Sequence, residues 1–209
     1  MNFEKQQIQL FLDELASDAP APGGGSVAAL GGSLGAALVT MVANLTVGRE
    51  KYKEHWDAMA EARDKSEPMR KRFVELMNED TEAFNAYMGA MKLPKETDEE
   101  KAARRKAMEE ASKGATMVPL ETLELCVSLA EAARKAMQHG NQNAVSDAGV
   151  AALYAQAAGK AAGLNVRINL PSIKDEKFAA EVRDRMTRAL DALAKSCRET
   201  EDGINKALG

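Results

Sequence analysis

With 209 residues the chain has enough length for one domain with its own core, and 4% aromatic content beside abundant Ala, Met and Leu fits a helical bundle packed by small, flexible side chains. A net charge of −4 excludes a general nucleic-acid binder, which needs a basic face. Cys126 and Cys197 lie far apart, and His55 and His139 have no Cys or His cluster near them. Free buried thiols in a reducing cytoplasm and a protein with no metal are therefore expected.

The opening MNFEKQQIQL has an acid and polar residues where a signal peptide needs a basic and then an apolar run, so the cytoplasm is the expected location. A short amphipathic helix is predicted over 2–16, capped by Asn2, with Ile8, Phe11, Leu12 and Leu15 on one side. Pro20 and Pro22 stop it. From Ala19 through Gly48 no side chain is charged, although 29% of the chain is. In this stretch Gly23, Gly24 and Gly25 close on Ser26, which can cap a second helix running to about Val47 and ending at Gly48.

That helix is long enough to span a bilayer, but Gly31, Gly32, Ser33, Gly35, Thr40, Asn44 and Thr46 make insertion marginal. A buried helix and no membrane partner are expected. The glycine run matches neither the phosphate loop nor the dinucleotide fingerprint. It reads either as a tight turn or as a place where backbone N–H groups converge ahead of a helix. Charge returns at Arg49, Lys51 and Lys53, as a solvated helix end or as the nearest cations for an anionic substrate.

A third helical region, Lys53 to Met91, is predicted to bend or break near Pro68. Met69, Phe73, Leu76, Ala83, Phe84 and Tyr87 form its apolar stripe, and the position that completes the register between Leu76 and Phe84 is Asp80. Residues 92–113 carry both charge signs and read as a solvated helical excursion tolerant of change. Helix resumes near Thr116 with Pro119 in a first turn, and Gly140 closes it. Asn141, Gln142 and Asn143 form a polar hinge into a second small-residue helix ending near Gly163. NVRINLPS (165–172) is predicted as an extended connector, and Ser172 with Asp175 as a capping box for a last amphipathic helix. The class expected is all-α, a single-domain helical bundle with two central Ala/Gly-rich helices surrounded by longer amphipathic ones.

Asp80 is the sharpest chemical signal. A carboxylate among Phe73, Leu76 and Phe84 either finds a partner or holds its proton to higher pH, which suits a general acid or base; the alternative is a structural Asp paired with a cation from another helix. Asp147 falls in the first turn of a helix, where an acid meets the positive end of the dipole, and so has a structural explanation too. Asn141, Asn143 and Ser146 beside it offer more donors and acceptors than caps alone require.

PGGGSVAALGGSLGAALVTMVANLT, NEDTEAF at 78–84, GNQNAVSDAGVAAL at 140–153 and NVRIN at 165–169 together resemble the formiminotetrahydrofolate cyclodeaminase / methenyltetrahydrofolate cyclohydrolase family, in the same order and with compatible spacing. The resemblance implies a soluble, all-helical, dimeric enzyme without metal or other cofactor, acting on a one-carbon tetrahydrofolate. It implies that Asp80 supplies the catalytic acid and that Asp147 orients the pterin or assists proton transfer. Asn141, Asn143 and Ser146 become candidates for pterin hydrogen bonds. Arg49 and Lys51 become candidates for the glutamate tail, polyglutamate included, and Gly23, Gly24, Gly25 and Ser26 for a loop along which a flat pterin can lie. Ring closure with release of ammonia is the expected reaction, hydrolysis of the methenyl bridge the first alternative, and a non-catalytic helical interaction module the second.

Overall fold

The computed structural model describes residues 8–209, and among them the secondary structure is helical throughout. Six α-helices follow one another: α1 (Ile8–Leu15), α2 (Gly24–Asn44), α3 (Trp56–Met91), α4 (Asp98–His139), α5 (Val145–Asn169) and α6 (Glu176–Leu208). Short 3₁₀ turns at Glu50–His55, Gln142–Ala144 and Leu170–Ser172 join them. The Asn2 cap and residues 2–7 of the first predicted helix lie outside the described residues. In the remainder of that helix Phe11 is buried, while Ile8 and Leu12 are exposed.

The two small-residue helices are central. Helix α2 packs on α3, α4 and α5, and α5 on α2, α4 and α6. They run antiparallel: Gly24 lies beside Asn165, Gly31 beside Ala158 and Tyr154, and Gly35 beside Ala151. The lack of bulk also lets α3 close on α2, since a Cβ on Gly32 would overlap the Phe73 ring. Helix α2 is long and apolar enough to cross a membrane, and 56% of its most apolar window is buried inside the bundle. Its polar side chains are satisfied by α3, through Ser33 Oγ donating to the Arg70 carbonyl (3.1 Å) and a Thr40–Ser66 hydroxyl pair at 2.8 Å. Bidentate Arg72–Glu121 and Arg185–Glu124 pairs tie α3 and α6 to α4. Cys126 and Cys197 are free and buried, as expected, and burial pushes the Cys197 thiol up to about 11.

Four boundaries differ from the sequence reading, each for a physical reason. Helix α3 passes through Pro68 without a break. The proline and Asp64, whose carbonyl loses its helical partner, both face solvent, where water can take the bond. Helix α4 begins at Asp98 under a capping box formed by Thr97 and Glu100, so Pro119 sits deep inside it and not in a first turn. The carbonyl freed by Pro119 is that of Ala115, and Asn169 Nδ2 donates to it at 2.7 Å. Helix α5 continues to Asn169 where an extended connector was expected, with Val166 fully buried. Helix α6 is capped by Asp175, which accepts from the Phe178 N–H, while Ser172 Oγ donates to the Asn169 carbonyl.

Candidate functional site

The start of α2 is where the chemistry collects. The helix begins at Gly24 with Gly23 as its N-cap residue and no side-chain cap. Ser26 therefore does not cap: it is buried within the first turn, and its hydroxyl donates to Asp80 Oδ2 at 2.9 Å, with the Met77 carbonyl a longer alternative at 3.3 Å. The Ser26 backbone N–H also binds the Asp80 carboxylate. Gly25 makes the meeting possible, because a Cβ there would overlap the carboxylate itself. Asp80 is half-buried, and burial raises its carboxyl above the ordinary aspartate range, with the two Ser26 hydrogen bonds opposing the shift only in part.

Asp80 faces a cavity of about 420 Å³, within the range of small-molecule sites. Gly23, Gly24, Gly25 and Pro20 form one wall, and a cis Ala21–Pro22 bond leads into them. Phe84 and Tyr87, one and two turns beyond Asp80 on α3, supply ring surface against which a flat ligand can lie. Opposite stand Ser112 and Ala115 of α4, and Asn165 and Asn169 of α5.

The two asparagines are the part that sequence reasoning misses, because NVRIN reads locally as extended and its asparagines as connector residues. On a helix they lie one turn apart on the same side. Each gives its amide N–H to a backbone carbonyl, Asn165 to Ala161 at 3.0 Å and Asn169 to Ala115 at 2.7 Å. A carbonyl partner accepts only from the nitrogen end, so both amides are oriented and each keeps Oδ1 as an acceptor. The cavity thus offers one ionisable carboxyl, two fixed amide acceptors and aromatic surface.

The remaining predicted residues lie at the other end of α2 and α5, about 30 Å along the helices. Asn141 is buried there and its hydrogen bonds are used in holding that end together. It accepts from Tyr52 Oη (2.9 Å) and the Asn143 N–H (3.0 Å), donates through Nδ2 to the Leu45 carbonyl (3.1 Å), and its backbone N–H reaches Thr46 Oγ1 (2.8 Å). Arg49 follows α2 and its carbonyl accepts from Trp56 Nε1, while Lys51 lies 5.3 Å from the Tyr52 ring centre. Asp147 is half-buried in the first turn of α5, and Ser146 lines a separate hollow of about 230 Å³ with Gln156, Cys197 and Glu201. Within one chain the structure brings Gly23, Gly24, Gly25, Ser26 and Asp80 together and leaves Arg49, Lys51, Asn141, Asn143, Ser146 and Asp147 apart from them.

Comparison with known proteins gives a consistent set of relatives. A family model described as Formiminotransferase-cyclodeaminase matches residues 7–188. A methenyltetrahydrofolate cyclohydrolase from Methylorubrum extorquens is 48% identical over 176 residues, 84% of this chain and 85% of that protein. A formimidoyltransferase-cyclodeaminase from Sus scrofa is 39% identical over 184 residues, 88% of this chain but 34% of that longer protein. Among solved structures, a formiminotetrahydrofolate cyclodeaminase from Thermotoga maritima superposes with a TM-score of 0.90 at 27% identity, covering 99% of both chains.

Proposed function

Since this chain belongs to the formiminotransferase-cyclodeaminase family, we propose that it works on the one-carbon bridge between N5 and N10 of a tetrahydrofolate, with Asp80 moving the proton. The observation that carries this reading is Asp80 itself: a half-buried carboxyl with a raised pKa, held by Ser26 at the wall of a cavity sized for a pterin. Hydrolysis of the methenyl bridge is put first, because the cyclohydrolase relative matches at 48% identity along most of its own length. Water adds to the bridge carbon and gives a proton to Asp80. The carbon–N5 bond then breaks, Asp80 returns that proton to N5, and the hydroxyl proton of the intermediate goes to solvent as the formyl carbonyl forms on N10.

Ring closure with loss of ammonia is the second reading, favoured by the full-length structural match to a cyclodeaminase. There N10 attacks the protonated formimino carbon, Asp80 takes the N10 proton and delivers it to the departing nitrogen, and the positive charge stays on the bridge. In both reactions the tetrahedral carbon lies between the same two nitrogens, so one site serves either. Asn165 and Asn169 present acceptors to the N–H groups of the aminopyrimidine edge, and Phe84 and Tyr87 support its face. The test is purified protein given methenyl- and, separately, formiminotetrahydrofolate, with the methenyl absorbance followed. Decay of the first or growth of the second is expected, and no change with either would sink the enzyme reading.

A homodimer is part of the proposal. Val27, Leu34 and Met41 on α2, and Val150, Leu153, Tyr154, Leu164 and Ile168 on the adjoining α5, leave one long apolar face exposed. A second copy fits it because the face is antiparallel in itself, and a two-fold axis across it sets the Asp147 end of one chain beside the Asp80 cavity of the other. Light scattering is expected to give twice the chain mass, and the mass of one chain would refute the dimer.

A further inference from the structure

Buried hydroxyls in this bundle are almost all engaged. Thr40, Thr46, Thr116, Thr122 and Thr200 each donate to the backbone carbonyl four residues earlier, and Ser33 donates across to α3. Among the buried hydroxyl and amide side chains of the described residues, Ser112 and Ser196 alone have no hydrogen-bond partner. Ser196 Oγ is sealed inside the protein. Ser112 is placed differently: only 3% of it is exposed, and it lines the Asp80 cavity and the hollow beside it, so the exposed part opens onto that space. Its carbonyl is taken by the Thr116 hydroxyl at 2.7 Å, but its own hydroxyl does not fold back onto α4. Ser112 stands near the end of the mixed-charge stretch 92–113, which reads in the sequence as a tolerant excursion, and no local pattern singles it out.

Ser112 completes a row. Asn165 and Asn169 lie one turn apart on α5, Asn169 holds the Ala115 carbonyl, and Ser112 is one turn before Ala115 on the antiparallel α4. Along that wall come two amide acceptors and then a hydroxyl free to donate. The other side-chain donors there are engaged: both amide nitrogens serve backbone carbonyls, and Ser172 Oγ donates to the Asn169 carbonyl at 2.6 Å. The pyrimidine edge of a pterin carries the complementary run, an amino N–H, the N3–H and then the C4 carbonyl. We propose that Ser112 is a specificity-determining residue of this site, its hydroxyl donating to the 4-oxo oxygen of the pterin while the asparagine oxygens accept from the adjoining N–H groups. The inference rests on the folate reading above and supplies the donor that the carbonyl end of that edge requires. A hydroxyl opening onto a cavity is served by water until a ligand displaces it, and a ligand unable to reproduce the bond binds more weakly.

The test is a cycle of two proteins and two ligands: the parent and Ser112→Ala, each titrated with tetrahydrofolate and with its 4-deoxo analogue, which has hydrogen at C4 in place of the oxygen. Ser112→Ala is expected to weaken tetrahydrofolate binding about tenfold and binding of the analogue by less than about twofold. The loss of the N3–H in the analogue affects its contact with the asparagines in both proteins alike, so the difference between the two losses reports the Ser112 contact. A purely structural hydroxyl predicts another result. Removing an unpartnered one breaks no bond within the protein, so the variant should melt at the same temperature as the parent or higher. Equal losses for the two ligands, no loss with either, or a clearly lower melting temperature would each overturn the assignment. Because the readout is binding, a protein that shows the expected cycle but turns over neither one-carbon derivative overturns the proposed reaction and leaves Ser112 in its role. Failure of the parent to bind any folate overturns both.

Discussion

Asp80→Asn is expected to lower kcat by about two to four orders of magnitude while the helical circular dichroism stays that of the parent. The amide can still accept from the Ser26 hydroxyl, so the contact that holds residue 80 in place survives and only the ability to take and return a proton is lost. The stability change has the opposite sign. Burial raises the Asp80 pKa in the folded state above its unfolded value, so the folded chain holds the proton more tightly. The stability this contributes is present in full below the unfolded aspartate pKa and is lost as pH rises through the folded pKa. Above its folded pKa the parent carries a partly desolvated charge that the asparagine variant lacks, so in that range the variant should melt at the same temperature or higher. In the parent, kcat against pH should show an ionisation displaced upward from the usual aspartate range, and the asparagine variant should lack it. Retained turnover, or a large loss of melting temperature, would contradict the role given to this residue.

Gly25→Ala is expected to lower kcat by about a hundredfold, through displacement of a group that the substitution does not itself alter. The added methyl would occupy the position of the Asp80 carboxylate, so the side chain must turn away and give up its bonds to Ser26. Gly23→Ala serves as the comparison. Its methyl meets nothing within 4 Å and its φ of −133° suits any residue, so activity should stay within about threefold of the parent. Steady-state kinetics on the two variants separates volume at one position from a general need for flexible backbone. Similar losses in both would argue that the whole glycine run, and not one contact, matters.

The helical class and the two central helices were legible because Ala, Gly and Ser at helical length have few other uses in an uncharged stretch. Asp80 was legible because periodicity makes a charged residue in an apolar register visible without any knowledge of its partner. The partner was not: Ser26 is 54 residues away, and a serine after glycines reads locally as a cap. Asn165 and Asn169 were hidden by a local conflict, since Val166, Ile168 and nearby Pro171 favour extended chain, whereas burial of Val166 and Leu170 keeps the segment helical or tightly turned. Closeness in sequence also misdirected the reading. Asn141, Asn143, Ser146 and Asp147 look like a site because they are neighbours, yet α5 runs antiparallel to α2 and carries them to the end opposite Asp80. The boundary errors at Pro68 and Pro119 have a common origin: a proline forbids one hydrogen bond, and only the surroundings decide whether the freed carbonyl can be served.

Pro119 has a consequence for how variants of this chain should be classified. By burial alone it belongs to the core, and it does not itself line the cavity. Yet by withholding one N–H from α4 it leaves a vacancy that the Asn169 amide fills, and so determines which end of that amide remains for recognition. Any other residue at 119 would bring its own donor and compete for the Ala115 carbonyl, releasing the amide to rotate. A change there would be inherited by the site as a reversal of polarity at a single atom, with the shape of the cavity unaltered.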